Sequence, residues 1–534
     1  MFRTAELQRK LPKDDFQQQV PPLREKLLML QMELRKAKFP VIVVFAGVDG
    51  AGKGETVNKL HEWLDSRWLI TRAFGDPSDE ELDRPDYWRF WRELPARGRI
   101  GLFLSSWYST PILEHVYGRI GLAEFDERLE RIKAFEQTLA DDGALILKFW
   151  MHLSRDAQKE RLRKLEKNPL QHWRISKRDW QHWEMYDQFI AAAERTIMKT
   201  STGLAPWKIV EGYDERYRST AVATTLYDTI RFRLDESEKA AANNNPNGDA
   251  GARPKSTTDL NAVLPVTVLS RLDMSKTLSK DAYDTGLKRY QARLNQLQRA
   301  ARERKISTIL VFEGWDAAGK GGSIRRITAA LDSRDYQVIQ IAAPTDEEAA
   351  HNYLWRFWRH LPRAGRVTIY DRSWYGRVLV ERVEGFARTR EWQRAYAEIN
   401  DFEAQLVERG IVLLKFWLHI TPEEQLRRFK EREQISYKAW KLTDEDWRNR
   451  ERWMDYEMAV NDMIEHTSTR QAPWMLVEAN DKRHARVEIL SALCERLEAA
   501  LPKDAKAMLA TAPKVVRKAK KINGEARKSN KSKV

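Results

Sequence analysis

Residues 47–54 of this 534-residue chain read Gly-Val-Asp-Gly-Ala-Gly-Lys-Gly, and residues 314–321 read Gly-Trp-Asp-Ala-Ala-Gly-Lys-Gly. The offset, 314 − 47 = 267, recurs without a gap. Trp88-Arg-Phe-Trp91 falls on Trp355-Arg-Phe-Trp358, Ser106-Trp-Tyr108 on Ser373-Trp-Tyr375, and Lys148-Phe-Trp150 on Lys415-Phe-Trp417. Thr200-Ser-Thr202 and Pro206-Trp207 fall on Thr467-Ser-Thr469 and Pro473-Trp474. A period as long as a domain is a tandem duplication rather than a solenoid. Whatever one half folds into, the other must fold into as well.

The division expected is a first repeat over 1–234, a linker over 235–259, a second repeat over 260–505 and a tail over 506–534. The linker is read from Asn243-Asn-Asn-Pro-Asn-Gly248 and its Ala- and Gly-rich flanks, which favour turns and flexible chain. Each repeat opens on an amphipathic helix. Val20, Leu23, Leu27, Leu30 and Leu34 step by three and four, as do Leu287, Tyr290, Leu294, Leu297 and Ala301, which lines one helical face. Apolar, β-rich runs follow at Val41–Phe45 and Thr308–Phe312, at Arg366–Tyr370 ahead of Asp371, and at Ile411–Leu418. Buried strands alternating with helices predict an α/β fold with a parallel sheet.

The strand–turn–helix at Thr308–Thr328 predicts a phosphate-binding loop. Gly314 and Gly319 let the backbone wrap an anion, Gly321 and Gly322 keep the start of the helix bare, and Lys320 adds charge. Backbone N–H groups and a helix N-terminus both favour phosphate there. The usual hydroxyl after the lysine is replaced by Gly321, and the nearest one is Ser323. The magnesium role usually filled by that hydroxyl is therefore assigned to Asp316, within the loop. Asp371 ends a strand and suits a metal-binding carboxylate beside the loop, while Arg372 points toward bound phosphate. Arg427-Arg-Phe-Lys-Glu-Arg432, continuing to Lys438 and Lys441, would alone be a solvated helix face. Behind a phosphate loop and a metal-binding acid it reads as a basic lid that closes over phosphates. Trp355, Trp358, Trp374 and Trp417 are assigned to packing, and the ten histidines show no metal-binding spacing.

Composition narrows the class. A chain with 42% hydrophobic and 32% charged residues can fold, which excludes wholesale disorder. No apolar run reaches the length of a membrane span, and the N-terminus lacks a secretory h-region. The single cysteine, Cys494, excludes internal disulfides. A cytoplasmic location is expected. The net charge of +15 is concentrated at the end: Lys514–Val534 holds nine basic residues and one acid and is expected to be disordered.

Glu313-Gly-Trp-Asp-Ala-Ala-Gly-Lys-Gly-Gly322, Ala343-Pro-Thr345, Leu354-Trp-Arg-Phe-Trp358, Tyr370-Asp-Arg-Ser-Trp-Tyr-Gly-Arg377, Lys415-Phe-Trp417, Ala472-Pro-Trp474 and Glu478-Ala-Asn480 together resemble the polyphosphate kinase 2 family. The resemblance covers residues 20–232 and 287–500. It implies a P-loop kinase fold similar to thymidylate kinase, with a helical lid, here duplicated in tandem. It implies magnesium as cofactor, inorganic polyphosphate as donor and a nucleotide as acceptor. Two-domain members imply AMP, converted to ADP, with GMP or another nucleotide as the alternative acceptor. A kinase acting on ADP or GDP, an ATP-dependent small-molecule kinase, and a polyanion-binding scaffold without catalysis are the rival readings. No membrane and no specific nucleic acid is implied.

By position, Asp316 and Asp371 match the family's acidic metal-binding residues, Lys320 its loop lysine, and Arg372, Arg428, Arg432 and Lys441 its phosphate-chain contacts. The first repeat keeps Asp49 and Lys53 but places Leu104, Ser105 and Leu165 where Asp371, Arg372 and Arg432 stand. One active site, in the second repeat, is therefore expected. Related single-domain enzymes pair as dimers, so the resemblance implies that the two halves pair within the chain as a pseudo-twofold dimer, with a homo-oligomer of such chains as the further assembly it allows.

Overall fold

The computed structural model describes residues 1–243, 267–434 and 444–506. Strands β1 (Val41–Gly47), β2 (Leu69–Ala73), β3 (Ile100–Leu104), β4 (Leu145–His152) and β5 (Trp207–Glu211) form one sheet in the order β2-β3-β1-β4-β5. Strands β6 (Thr308–Gly314), β7 (Tyr336–Gln340), β8 (Val367–Asp371), β9 (Val412–His419) and β10 (Trp474–Glu478) repeat that order as β7-β8-β6-β9-β10. Every pairing is parallel, with Val41 opposite Ile100 and Leu145, and Thr308 opposite Val367 and Val412. The chain is an α/β protein with two copies of one P-loop kinase-like unit.

Helices cover both faces, so the central strands carry apolar residues without alternation. Val41 to Phe45 and Ile309 to Phe312 are buried throughout. The opening helix of the second repeat, Lys280–Glu303, buries Leu294, Leu297 and Ala301. That of the first, Lys13–Leu34, starts ahead of Val20 and runs through Pro21 and Pro22, forgoing the backbone hydrogen bonds those prolines cannot donate. Trp355, Trp358, Trp374 and Trp417 are buried, as their packing assignment requires.

The two repeats meet through matching surfaces. Trp91 stacks on Trp358, with ring centroids 5.7 Å apart and planes 12° from parallel. The numbers differ by the repeat offset, so one position meets its own copy across a local twofold axis, the geometry of an isologous dimer. Around this pair, Arg84 Nε donates to the Leu361 carbonyl (3.1 Å) and the Arg97 backbone N–H to that of Ala350 (2.9 Å). Arg363 pairs with Asp83 at 3.0 Å and Arg131 with Glu408 at 2.7 Å.

The helix Glu215–Asn243 continues through residues 235–243, the start of the segment read as linker. Glu236, Glu238, Lys239 and three alanines are strong helix formers and carry it past the boundary. The rest of that linker, the basic tail from Ala507, and Lys438 and Lys441 of the lid lie outside the described residues. Among the described residues no helix is long and apolar enough to cross a membrane.

Candidate active site

In a parallel sheet the carboxyl ends of the strands share one edge, and ligands bind where neighbouring connections diverge. Here that point lies above β6, between β8 and β9. β6 ends in Gly314, whose φ is +148°; a Cβ there would come within 2.5 Å of the Leu418 carbonyl oxygen. The loop then crosses to Gly319, left-handed at φ 112°, which opens the helix Lys320–Thr328. Gly321 and Gly322 follow; a Cβ on Gly321 would meet nothing, whereas one on Gly322 would come within 3.0 Å of Arg486 Nη2. Ser323 is buried within that turn.

Lys320 Nζ folds back onto the carbonyls of Gly314 (2.6 Å) and Trp315 (3.3 Å). Trp315 anchors the loop: it stacks on Trp453 at 3.6 Å and its Nε1 donates to His419 Nδ1 at 3.1 Å. Burial lowers the His419 pKa to about 4, which keeps that nitrogen an acceptor.

Asp316 faces the cleft from the loop. Its carboxylate takes Arg372 Nη2 at 3.2 Å and Asn449 Nδ2 at 3.0 Å. Tyr456 in turn donates to Asn449 Oδ1 at 3.1 Å. Asp371 ends β8 opposite Phe312 of β6, and the next residue, Arg372, turns through a left-handed backbone at φ 64°. Its side chain, 47% exposed, reaches into the open cleft. Burial disfavours the Arg372 charge, but Asp316 and Glu313 outweigh it.

Glu313, the last residue before Gly314, opens the loop motif but carries no assigned role in the sequence reading. It is buried and held by Ser373 Oγ at 2.7 Å. Burial pushes its carboxyl upward; Lys320 and Arg372 pull the other way and Asp371 adds to the push. Glu313 therefore lies under the charges of the site. Lys482, also unforeseen, begins the helix after β10, and burial followed by the charge of Arg428 lowers its pKa to about 8.

The lid helix Pro422–Glu433 departs from the basic-face reading. Arg428 is 2% exposed. Its guanidinium donates to the carbonyls of Ala317 (2.9 Å), Ala318 (3.0 Å), Ala479 (2.6 Å) and Asn480 (2.8 Å), and pairs with Glu424 at 2.5 Å. A guanidinium with its donors so occupied braces the loop from behind and has none left for a phosphate. Arg427 is turned to Glu424 and Glu431 of its own helix. Arg432 is half-buried near the helix end.

The same site in the first repeat is altered at several positions. Lys53 Nζ again caps loop carbonyls, those of Gly47 (2.7 Å) and Val48 (3.0 Å). Asp49, the counterpart of Asp316, meets His182 Nδ1 at 2.5 Å in place of an asparagine. Burial would raise Asp49, but His182 and Lys53 hold it below the usual carboxylate range. Ser105 keeps the left-handed turn at φ 50° without an arginine. Ala46 replaces Glu313, and the buried hydroxyl of Ser106, the counterpart of Ser373, has no hydrogen-bond partner.

A family model described as polyphosphate kinase 2 matches residues 10–238 and 277–505. Over 505 residues the chain is 50% identical to a Pseudomonas aeruginosa protein named polyphosphate:AMP phosphotransferase, covering 94% of this chain and 100% of that protein. An Acinetobacter johnsonii protein of the same name is 38% identical over 477 residues, 88% of this chain and 94% of the relative. A crystal structure described as a polyphosphate kinase 2 from P. aeruginosa PA01 superposes with a TM-score of 0.83 at 48% identity, over 94% of this chain and 100% of that one.

Proposed function

Because the chain belongs to the polyphosphate kinase 2 family, we propose that it moves a phosphoryl group from inorganic polyphosphate to AMP, giving ADP, and that the second repeat alone does so. The acceptor rests on the name carried by relatives that match nearly the whole duplicated chain. The single working site rests on one observation: Glu313, Asp371 and Arg372 all lie at the loop of the second repeat, and Ala46, Leu104 and Ser105 stand in the first.

The end of the phosphate chain would sit on the N–H groups opening the helix Lys320–Thr328, with Lys320 released from its carbonyls to meet it. Arg372, exposed and hinged on a left-handed residue, would follow the transferring group. An AMP phosphate oxygen forms the new bond to the terminal phosphorus as the bridging bond to the shortened chain breaks. A phosphomonoester has its second pKa near 6, so the acceptor arrives deprotonated and no side chain is needed as base. Charge placement would supply most of the rate, as in other phosphoryl transfers.

Asp316 and Asp371 suit magnesium, which takes one or two carboxylates and completes its shell with substrate phosphates and water. Among the described residues no group of three acidic, histidine or cysteine side chains is placed to hold an ion without substrate, and the carboxylate of Asp316 is met only by an amide and an exposed arginine. When bound, the ion would neutralise phosphate oxygens. Arg432 and Lys441 are assigned to the phosphate chain, and the cytoplasm is the proposed location, in keeping with a free, buried Cys494.

The test is direct. The purified chain, with magnesium, is offered AMP, ADP, GMP or GDP, with polyphosphate or ATP as donor. ADP from AMP and polyphosphate is expected. Triphosphate made from ADP or GDP while AMP stays inert would overturn the acceptor, and equal rates with ATP would overturn the donor.

A further inference from the structure

We propose that Glu55 is a built-in anion beside the first repeat's loop, and that removing it uncovers a latent site for pyrophosphate or a short polyphosphate, made of Arg161, Arg174 and Arg218. Glu55 lies in the first turn of the helix Lys53–Trp63, where the second repeat has Gly322. An acid in a first turn is ordinary helix chemistry. Three arginines from three separate elements closing on it are not. Arg161 Nη2 lies 2.7 and 2.8 Å from its two oxygens, Arg174 lies at 3.0 Å, and Arg218 Nη2 contacts Oε2. Arg218 is buried. Burial works to raise the Glu55 pKa, but the arginines overcome it and keep the carboxyl ionised.

The second repeat shows what each arginine would otherwise do. Arg161 corresponds to Arg428, which there faces the loop carbonyls and Glu424; the counterpart of Glu424 is Ala157. Without that acid, Arg161 turns to Glu55, and Arg218, whose counterpart is Ala485, donates to the Gly212 carbonyl at 3.1 Å and takes over part of the bracing. Arg174 corresponds to Lys441, the lid residue assigned to the phosphate chain. The first repeat's lid is thus latched onto its own carboxylate. One carboxylate offers two oxygens to donors that, at a phosphate, would share three or more. A cleft of about 480 Å³ stays open beside the latch, lined by Glu55, His61, Leu104, Trp173 and Arg174 among others. It has room for the anion that Glu55 displaces.

The proposal draws on the one-site reading only for the expectation that turnover is unaffected; binding is measured separately, so either can fail alone. Inorganic tripolyphosphate is titrated calorimetrically into the full chain, wild type and Glu55→Gly. The variant is expected to bind one more tripolyphosphate per chain than wild type, with unchanged ADP formation. Adding Arg161→Ala and Arg174→Ala to Glu55→Gly should remove the extra binding. Glu55→Gln guards against misfolding of the glycine variant. Its melting temperature should fall in the absence of the anion and rise further than that of wild type when tripolyphosphate is added. Equal stoichiometry in wild type and Glu55→Gly, equal anion-induced shifts in wild type and Glu55→Gln, or extra binding that survives loss of both arginines would overturn the proposal.

Discussion

In the first repeat Lys148 is buried against Glu136 at 2.6 Å, donates to Tyr108 and to the Thr200 carbonyl, and Trp107 donates to the same glutamate. In the second, Lys415, Glu403, Tyr375, Thr467 and Trp374 repeat every one of these contacts, with the ion pair at 2.7 Å. Burial pushes Glu136 and Glu403 upward and Lys148 and Lys415 downward in both. Perturbed buried groups usually invite a functional reading. Here the repeat that lacks Asp371, Arg372 and Glu313 keeps the network intact, so the network belongs to the fold. A buried pair is costly to break from one side, which holds it in place whether or not chemistry happens nearby. The differences at the loop, Ala46 for Glu313, Leu104 for Asp371 and Ser105 for Arg372, are the ones that bear on the proposed chemistry.

The largest effect should come from the paired loop lysines. Lys320→Ala and Asp371→Asn are each expected to lower AMP-dependent turnover by about 10³-fold, the scale of removing a charge that stabilises the transferring group. Lys53→Ala should leave turnover as it is. Steady-state ADP formation decides, and matched losses from Lys53→Ala and Lys320→Ala would sink the one-site reading.

Next comes Glu313, the change between the repeats that lies deepest. Glu313→Ala should cost roughly 10–100-fold in turnover, the range seen when the support of a metal-binding group is removed, and should raise the magnesium concentration needed for half-maximal rate. Ser373→Ala, which removes only its hydrogen-bond donor, should move both far less. A normal magnesium dependence in Glu313→Ala would return this residue to packing.

The lid arginines should separate by observable. Arg428→Ala is expected to cost about 3 kcal/mol of stability, as for breaking one side of a buried pair, read by denaturant unfolding. Arg432→Ala should leave stability alone, raise the apparent KM for polyphosphate, and reduce its log–log salt slope by roughly 1, on the counterion argument made for nucleic acids. A polyphosphate KM that Arg432→Ala does not change would make this arginine a solvated face.

The smallest effect concerns Lys482. Its pKa falls from the ordinary 10.5 to about 8 on folding, so between those values the unfolded chain binds the proton more readily, and stability should rise with pH through that window. The penalty is present in full below about 8. Lys482→Gln should therefore be slightly more stable than wild type near neutrality and converge with it toward pH 10.5, as melting temperatures across that range would show. A difference that grows with pH would reverse the sign and refute the assignment.

The repeat, the strands, the phosphate loop and the strand-end acid could be read from residues because each is a local pattern or one fixed offset. Glu313 escaped because a single acid at the end of an apolar strand acquires meaning only from Ser373, sixty positions on. Glu55 escaped for a similar reason: its three arginines come from 106, 119 and 163 positions away. Arg428 was misplaced because helical spacing shows that a residue shares a face with its neighbours but not that the face is pressed against a loop. The opening helix of the first repeat reaches back to Lys13, through Pro21 and Pro22, beyond the Val20–Leu34 spacing that announced it.

The stacking of Trp91 on Trp358 has a bearing on inheritance. Were the halves separate polypeptides, each would present the same tryptophan, and only the contacts around it, such as Arg363 with Asp83, where Ala96 and Ala350 stand at the matching positions, would tell one half from the other. Like could then still meet like, and a pair of first repeats would lack Glu313, Asp371 and Arg372 altogether. Joined in one chain, each first repeat is matched to a second repeat at the moment of synthesis. Substitutions could therefore accumulate at Ala46, Leu104 and Ser105 without ever producing a molecule in which both loops carry them.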